Sequence, residues 1–286
     1  MMNIADLLDP KNDYVFRRIF GHTGNEEITK GLLESIITDK IDKIELDSNP
    51  ITEKDLLDDK VGILDIKAKL NDGNVNCDIE MQVVNQKDIE KRILFYWSKM
   101  YVQTINVGND YENLKRCIVI LIADYDLEKL KEIPEFVTKW KITEEKYPKL
   151  VLTNVLELYI ISLKKVKKSD INSKEQLYKW LKFINNPKEE LGMENTGIKK
   201  AKEVLKAISQ DEEEIRKAEL REKYIRDQHA IMLAGIEQGI KQGIEQGIMQ
   251  EKKQTVKNLL ELNTPIEQIE KITGLSKEEI EKIIKK

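Results

Sequence analysis

The chain is poor in three things. It has only two cysteines, Cys77 and Cys117, in 286 residues. Both fall in apolar runs that read as buried strands, so they are core thiols of a reduced protein, with no disulfide framework. Long apolar runs are missing, which excludes a membrane-spanning helix. The opening MMNIADLLDPKNDY has acids where an export signal carries cations, and it has no apolar stretch. A cytoplasmic protein without a membrane partner is therefore expected. An excess of positive charge is missing too: 48 Lys and Arg stand against 52 Asp and Glu, net −4. Residues 1–125 carry 16 basic and 23 acidic side chains, net −7. If that half binds DNA, it must offset its own acids, and its binding alone would be weak and strongly salt-dependent. At 40% apolar and 35% charged, the chain can bury a sizeable core in one large or two small domains.

The most informative stretch is residues 61–84, VGILDIKAKLNDGNVNCDIEMQVV. Apolar and polar residues alternate about Asp72-Gly73, a strong signal for a type I′ hairpin turn. A two-residue loop there sets Asn71 against Asn74. Leu64 then faces Met81, Ile66 faces Ile79, and Ala68 faces Cys77, which makes one apolar face. On the other face Lys67 opposes Asp78, an attractive pair, and Asp65 opposes Glu80, with Gln82 two residues on. Directly opposed side chains have Cβ atoms about 5 Å apart, and like charges there destabilise the sheet. The register that buries the apolar face is the one that creates this repulsion. Either the face is simply wet, or the pair needs a cation or a shared proton.

Asp65 followed across the hairpin by Glu80-Met81-Gln82 resembles the active-site signature of the PD-(D/E)XK nuclease superfamily, with Gln82 where Lys is usual. The same departure occurs in the Rpn family of recombination-promoting nucleases, also described as transposases. DPKNDYVFRRIFG (9–21), LLESII (32–37), DDKVGILDIKAKL (58–70), DIEMQ (78–82) and RILFYWSKMYVQTINVGNDYENL (92–114) are similar, in order, to that family's motifs. The resemblance covers most of residues 9–122. It implies an α/β fold: a restriction-endonuclease-like mixed sheet with flanking helices, here followed by an all-α C-terminal region. It also implies metal-dependent hydrolysis of phosphodiester bonds in double-stranded DNA. Asp65 and Glu80 would hold Mg²⁺, or Mn²⁺ in its place, and Gln82 would join them as a catalytic residue. Glu34 would add a metal contact from the second helix, unless it is a solvated helix acid. Asp13 is a candidate near the site, and alternatively a helix cap. Arg92 and Tyr96, four apart on one helix face, are candidates for phosphate contact or site support.

The rest of the pattern fits around this core. Apolar spacing predicts helices within 12–38, broken between Gly21 and Gly24, and an amphipathic helix over 87–107. Residues 41–48 alternate as a strand, and 116–123, RCIVILIA, read as a buried central one. TKWKIT and LELYIISLKKV extend the sheet. KKVKK (164–168) is either a DNA-backbone contact or a solvated loop. Helices are predicted over 174–185 and 198–227. The domains expected are a nuclease-like domain over 1–168 with its core at 9–123, a helical extension over 169–227, and a C-terminal region over 228–286.

That last region opens on GIEQGIKQGIEQGIMQ (235–250). Four residues advance a helix by about 400°, so the glycines stay in one stripe that drifts about 40° per repeat, beside a stripe of isoleucines. Each interior Gly costs about 1 kcal/mol against Ala. A close partner helix would justify that cost; the alternative is a slippage-derived linker. Thr264-Pro265-Ile266-Glu267 and Ser276-Lys277-Glu278-Glu279 read as helix starts. Helix-turn-helix is the outline, but KEEIEKIIKK begins with glutamates that would meet phosphates badly. A small oligomerisation bundle is the better fit, and with it a homo-oligomer. Two functions follow: a metal-dependent DNA endonuclease in recombination or mobile-element processing, or a catalytically weak nuclease-fold regulator working through its C-terminal helices.

Overall fold

The computed structural model describes residues 7–47, 56–57, 65–85, 88–166, 175–189 and 195–284. It divides into two compact units, Met1–Ile225 and Arg226–Lys286. The first unit is built on a six-stranded mixed sheet of order β1-β2-β3-β4-β6-β5. The strands are β1 (Ile44–Asp47), β2 (Ile66–Leu70), β3 (Val75–Gln82), β4 (Arg116–Ala123), β5 (Val137–Trp140) and β6 (Leu156–Ser162). β3, β4 and β6 run parallel, while β1, β2 and β5 pair antiparallel with their neighbours. The helices of this unit are α1 (Asp13–Phe20), α2 (Glu26–Ile36), α3 (Ile89–Val102), α4 (Glu175–Asn185) and α5 (Thr196–Ile208). Its last residues lie in the first turns of α6 (Glu212–Glu261), which continues into the second unit.

The hairpin has the expected register, with Ile66 on Ile79, Lys67 on Asp78 and Ala68 on Cys77. Asp72 and Gly73 both take positive φ, 57° and 78°, as a type I′ turn demands. Asn71 is left-handed as well, at 52°. It is held there because its side chain spans to the segment before β1. Oδ1 accepts from Asp42 N at 2.8 Å, and Nδ2 donates to Lys40 O at 3.1 Å. Leu64, expected opposite Met81, lies outside the described residues.

One face of the sheet packs Ile66, Ala68, Ile79, Met81, Ile118, Ile120 and Ile161 against apolar residues of α1, α2, α4 and α5. The other packs Val119, Leu121, Leu158 and Ile160 against Ile89 and Ile93 of α3 and against Leu127 and Leu130. Helices on both faces make β4 and β6 continuously buried. Cys77 and Cys117 are free and buried in β3 and β4, and burial pushes the Cys117 thiol up to about 12.

Two interactions anchor this layer. Trp180 of α4 is fully buried, and its ring edge is pinched between two glycines. A methyl group would stand 3.1 Å from Cζ2 at Gly31 and 3.0 Å from it at Gly197. At the N-terminal end of β4, Arg116 binds Asp39 through two 2.8 Å contacts and reaches Glu157 at 2.8 Å. Lys139 and Lys141 complete the ring at 3.0 and 3.2 Å. Burial alone would raise the Glu157 carboxyl, but these bonds outweigh it and hold it down to about 2.

Helix termini follow local chemistry. Asn12, not Asp13, is the cap of α1, accepting from Tyr14 N and Val15 N. The predicted 198–227 helix is two pieces, because α5 ends at Ile208 and α6 begins at Glu212. In the second unit α6 closes on left-handed Asn263, with Thr264 N bonded to Leu259 O and Asn263 N to Leu260 O. α7 (Ile266–Thr273) starts after Pro265 without a side-chain cap, so Thr264 does not play that part. α8 (Lys277–Ile284) has the reciprocal Ser276–Glu279 capping box. Val256, Ile269, Leu275 and Ile280 form this unit's own small core. No helix among the described residues is long and apolar enough to cross a membrane.

The Trp180 pinch gives a direct test. Gly197→Ala should lower stability by about 1–3 kcal/mol, since a rigid indole cannot yield to the added methyl group. The measurement is the urea midpoint; an unchanged midpoint would mean that the ring moves freely.

Candidate active site

β3 presents Asp78, Glu80 and Gln82 to the α3 face of the sheet. Their ladder neighbours on β4 are Val119, Leu121 and Ala123, so acids occupy a row that the next strand fills with apolar side chains. Asp78 is 6% exposed and Glu80 2%. Of the two alternatives, a wet face does not apply to Asp78 and Glu80, because α3 lies across them. Asp65 stands one residue before β2, one ladder step beyond the Ile66–Ile79 pair and level with Glu80.

Glu80 has organised partners. Its Oε1 accepts from Gln82 Nε2 at 2.6 Å and lies 3.1 Å from Arg92 Nη2. Arg92 comes from α3 and stacks its guanidinium over the Tyr96 ring, 5.3 Å from the ring centre. Glu80, Gln82, Arg92 and Tyr96 therefore meet in one place. Burial, then the charges of Asp78 and Glu80, push the Asp65 carboxyl well above the usual carboxylate range, opposed by Arg92 and Lys67. Burial and Glu80 likewise push Asp78 up to about 7, against Lys67.

The attraction expected between Lys67 and Asp78 is not an ion pair. The two are ladder partners, but Lys67 is exposed and Asp78 Oδ1 is buried with no hydrogen-bond partner. Asp78 is the site residue that sequence reasoning undervalues. Strand alternation puts it on the same face as Glu80, and only its opposition to Lys67 disguises it. Tyr125, just after β4, also has a buried hydroxyl without a partner; burial and Glu80 raise its pKa. Nothing in the sequence pattern singles it out.

Two candidates stand elsewhere. Asp13 is gripped by Arg221 of α6, Nε at 2.9 and 3.0 Å and Nη2 at 2.6 Å, while Arg221 Nη1 donates to Leu56 O at 3.1 Å. Asp13 thus ties the first turns of α6 to α1 within the first unit, together with Glu214, which receives Tyr14 Oη and Arg18 Nε at 2.7 Å. Glu34 lies on the surface of α2, paired with Lys30 at 3.8 Å. It makes no contact with Asp65 or Glu80. Lys11 and Lys164 converge on Asp124 at 3.1 and 3.4 Å, and Asp124 N donates to Gln82 O at 2.9 Å. Two cations therefore stand at the Gln82 end of the strands. Lys167 and Lys168 lie outside the described residues.

The donor set suits a hard divalent cation, being carboxylate oxygens with one orphaned lone pair among them. Among the described residues, no three His, Cys, Asp or Glu side chains are drawn into a ready-made cage.

A family model described as PD-(D/E)XK nuclease family transposase matches residues 10–235. The chain belongs to this family. The match agrees with the Rpn resemblance and runs beyond the motifs at 9–122, through the rest of the sheet and the first turns of α6. No curated protein and no solved structure matches the chain.

The raised carboxyls of this family member predict an inverted acid response. A carboxyl whose folded pKa exceeds its unfolded value destabilises the native state when charged, and the penalty shrinks as pH falls from the folded pKa towards the unfolded one. The ion-free protein should therefore gain stability between pH 8 and pH 5. Glu157, held near 2, is not protonated in this window. Asp78→Asn should raise the melting temperature at pH 8 in EDTA and flatten the gain. An unaltered profile in that variant would show that Asp78 is not the strained group.

Proposed function

We propose that this protein is a Mg²⁺-dependent DNA endonuclease, acting in the cytoplasm on double-stranded DNA during recombination or mobile-element processing. The observation that carries this reading is the meeting of half-buried Asp65 with buried Glu80 at the Gln82 end of the central strands, in a chain of a nuclease family. A divalent ion held by Asp65 and Glu80, Mg²⁺ or Mn²⁺, would supply an activated water and shield the scissile phosphate. Gln82, through its amide, positions that water by hydrogen bonding but carries no charge. Arg92, 3.1 Å from Glu80, is the cation closest to taking over the role of the usual lysine. It holds the Glu80 carboxylate and faces the phosphate with a delocalised charge. Tyr96 steadies Arg92, and Lys11 and Lys164 offer backbone contacts that offset the acidic half.

The rival reading is a nuclease-fold regulator of little or no activity. Its support is that Glu80 already has Gln82 and Arg92 as partners, as a satisfied structural acid would.

Plasmid nicking with Mg²⁺, Mn²⁺, Ca²⁺ or EDTA separates the two. Asp65→Ala and Glu80→Ala should each abolish metal-dependent nicking while the fold stays intact. Gln82→Lys should keep or raise the rate, and Gln82→Leu should lower it about tenfold or more. Full activity in either acid variant would remove these residues from the site.

We also propose that the second unit self-associates. Gly235, Gly239, Gly243 and Gly247 have open space beside them, and Ile236, Ile240, Ile244 and Ile248 are each more than half exposed. An antiparallel second copy centred on Gly239 or Gly243 would set Lys241 against Glu237 or Glu245 of that copy. Light scattering should find a dimer at tens of micromolar, and a smaller assembly once residues 228–286 are removed. A monomeric full-length chain would end the proposal.

A further inference from the structure

Asp78 has no place in the D…E-x-Q signature, yet its setting is unusual for an acid. It is more than nine-tenths buried, and its Oδ1 has no hydrogen-bond partner. A buried polar atom left unpaired costs about 1–3 kcal/mol, and more for a charged group. A well-packed protein keeps such an atom where something else satisfies it. Lys67, its ladder partner, is exposed and does not bind it. Its strand neighbour two residues on is Glu80, on the same face, and its β4 neighbour on that face is Val119. Among the described residues no cation pairs with it directly, and Lys67 offsets its charge only in part.

We propose that Asp78 is a third metal-ligating carboxylate, which binds a divalent cation together with Asp65 beside the position of Glu80. This rests on the nuclease reading. The role follows from the division of labour within the row. Glu80 spends its Oε1 on Gln82 and Arg92, whereas Asp78 keeps a lone pair in reserve. Asp65 and Asp78 both flank Glu80, Asp65 level with it across the hairpin and Asp78 two residues before it on the same face. Among the described residues no three acids are already drawn into a finished cage, and like charges resist being drawn together without an ion. A doubly charged ion would reverse that repulsion and draw the oxygens onto itself.

The test uses the full-length protein stripped with EDTA and titrated with MnCl₂ by calorimetry, without DNA. Wild type, Asp65→Asn, Asp78→Asn and Glu80→Gln are compared, with circular dichroism and melting curves on each. Asp78→Asn should weaken Mn²⁺ binding at least tenfold or remove one bound equivalent, and should lose the Mn²⁺-induced rise in melting temperature. Asp78→Ser is measured alongside, and whichever variant keeps the wild-type dichroism decides the matter. If neither folds, Asp78 is a structural residue and the assignment falls. If Asp78→Asn binds Mn²⁺ as wild type does while Asp65→Asn and Glu80→Gln lose it, the assignment falls and the nuclease reading stands. If wild type binds no Mn²⁺, both fall.

Discussion

The first unit is organised around one electrostatic liability: carboxylates sealed into an apolar row between a sheet and a helix. β4 fills that row with Val119 and Leu121, and β3 sets Asp78 and Glu80 beside them. Such groups are expensive to bury, and each neighbour can be understood by how it answers them. α3 supplies Arg92 to Glu80. The hairpin brings Asp65 level with Glu80, and Gln82 closes on the same oxygen. What is left uncompensated is the part of the structure with chemical potential to use.

Holding such a face shut takes a stiff support on the far side. There Trp180 wedges between Gly31 and Gly197, and the first turns of α6 are tied to α1 through Arg221–Asp13 and Glu214. At the opposite end of the strands, Glu157 gathers Arg116, Lys139 and Lys141. Both ends of the sheet thus carry buried acids, treated in opposite ways. Glu157 is ringed by cations and stays ionised. At Asp65 and Asp78, burial and neighbouring acids outweigh the nearby Arg92 and Lys67. The contrast separates an acid that supports the fold from acids kept for another purpose.

Much of this is legible in the residues. The Asp72-Gly73 turn and the alternation around it specify the register, and the register alone brings Asp65 to Glu80. RCIVILIA announces a strand covered on both faces, and β4 is that strand. What escapes such a reading depends on long-range contacts. Asp13 looks like a cap or a site residue because its partner, Arg221, is 208 positions away. Glu34 sits at the edge of an apolar stripe, but α2 turns it to the surface. Asp78 is easily misjudged when ladder position is equated with pairing, although a long lysine beside water has little reason to fold back into a dry row.

The two thiols have a further consequence. Cys77 directly precedes Asp78 and Cys117 lies in the adjoining strand, both fully buried with raised pKa. Neither can meet an alkylating reagent unless the central ladder opens. The native chain therefore carries its own clock for that opening, placed one residue from a strained carboxylate. Anything that relieves the acidic row should slow the modification of Cys77, with no label or engineered probe required.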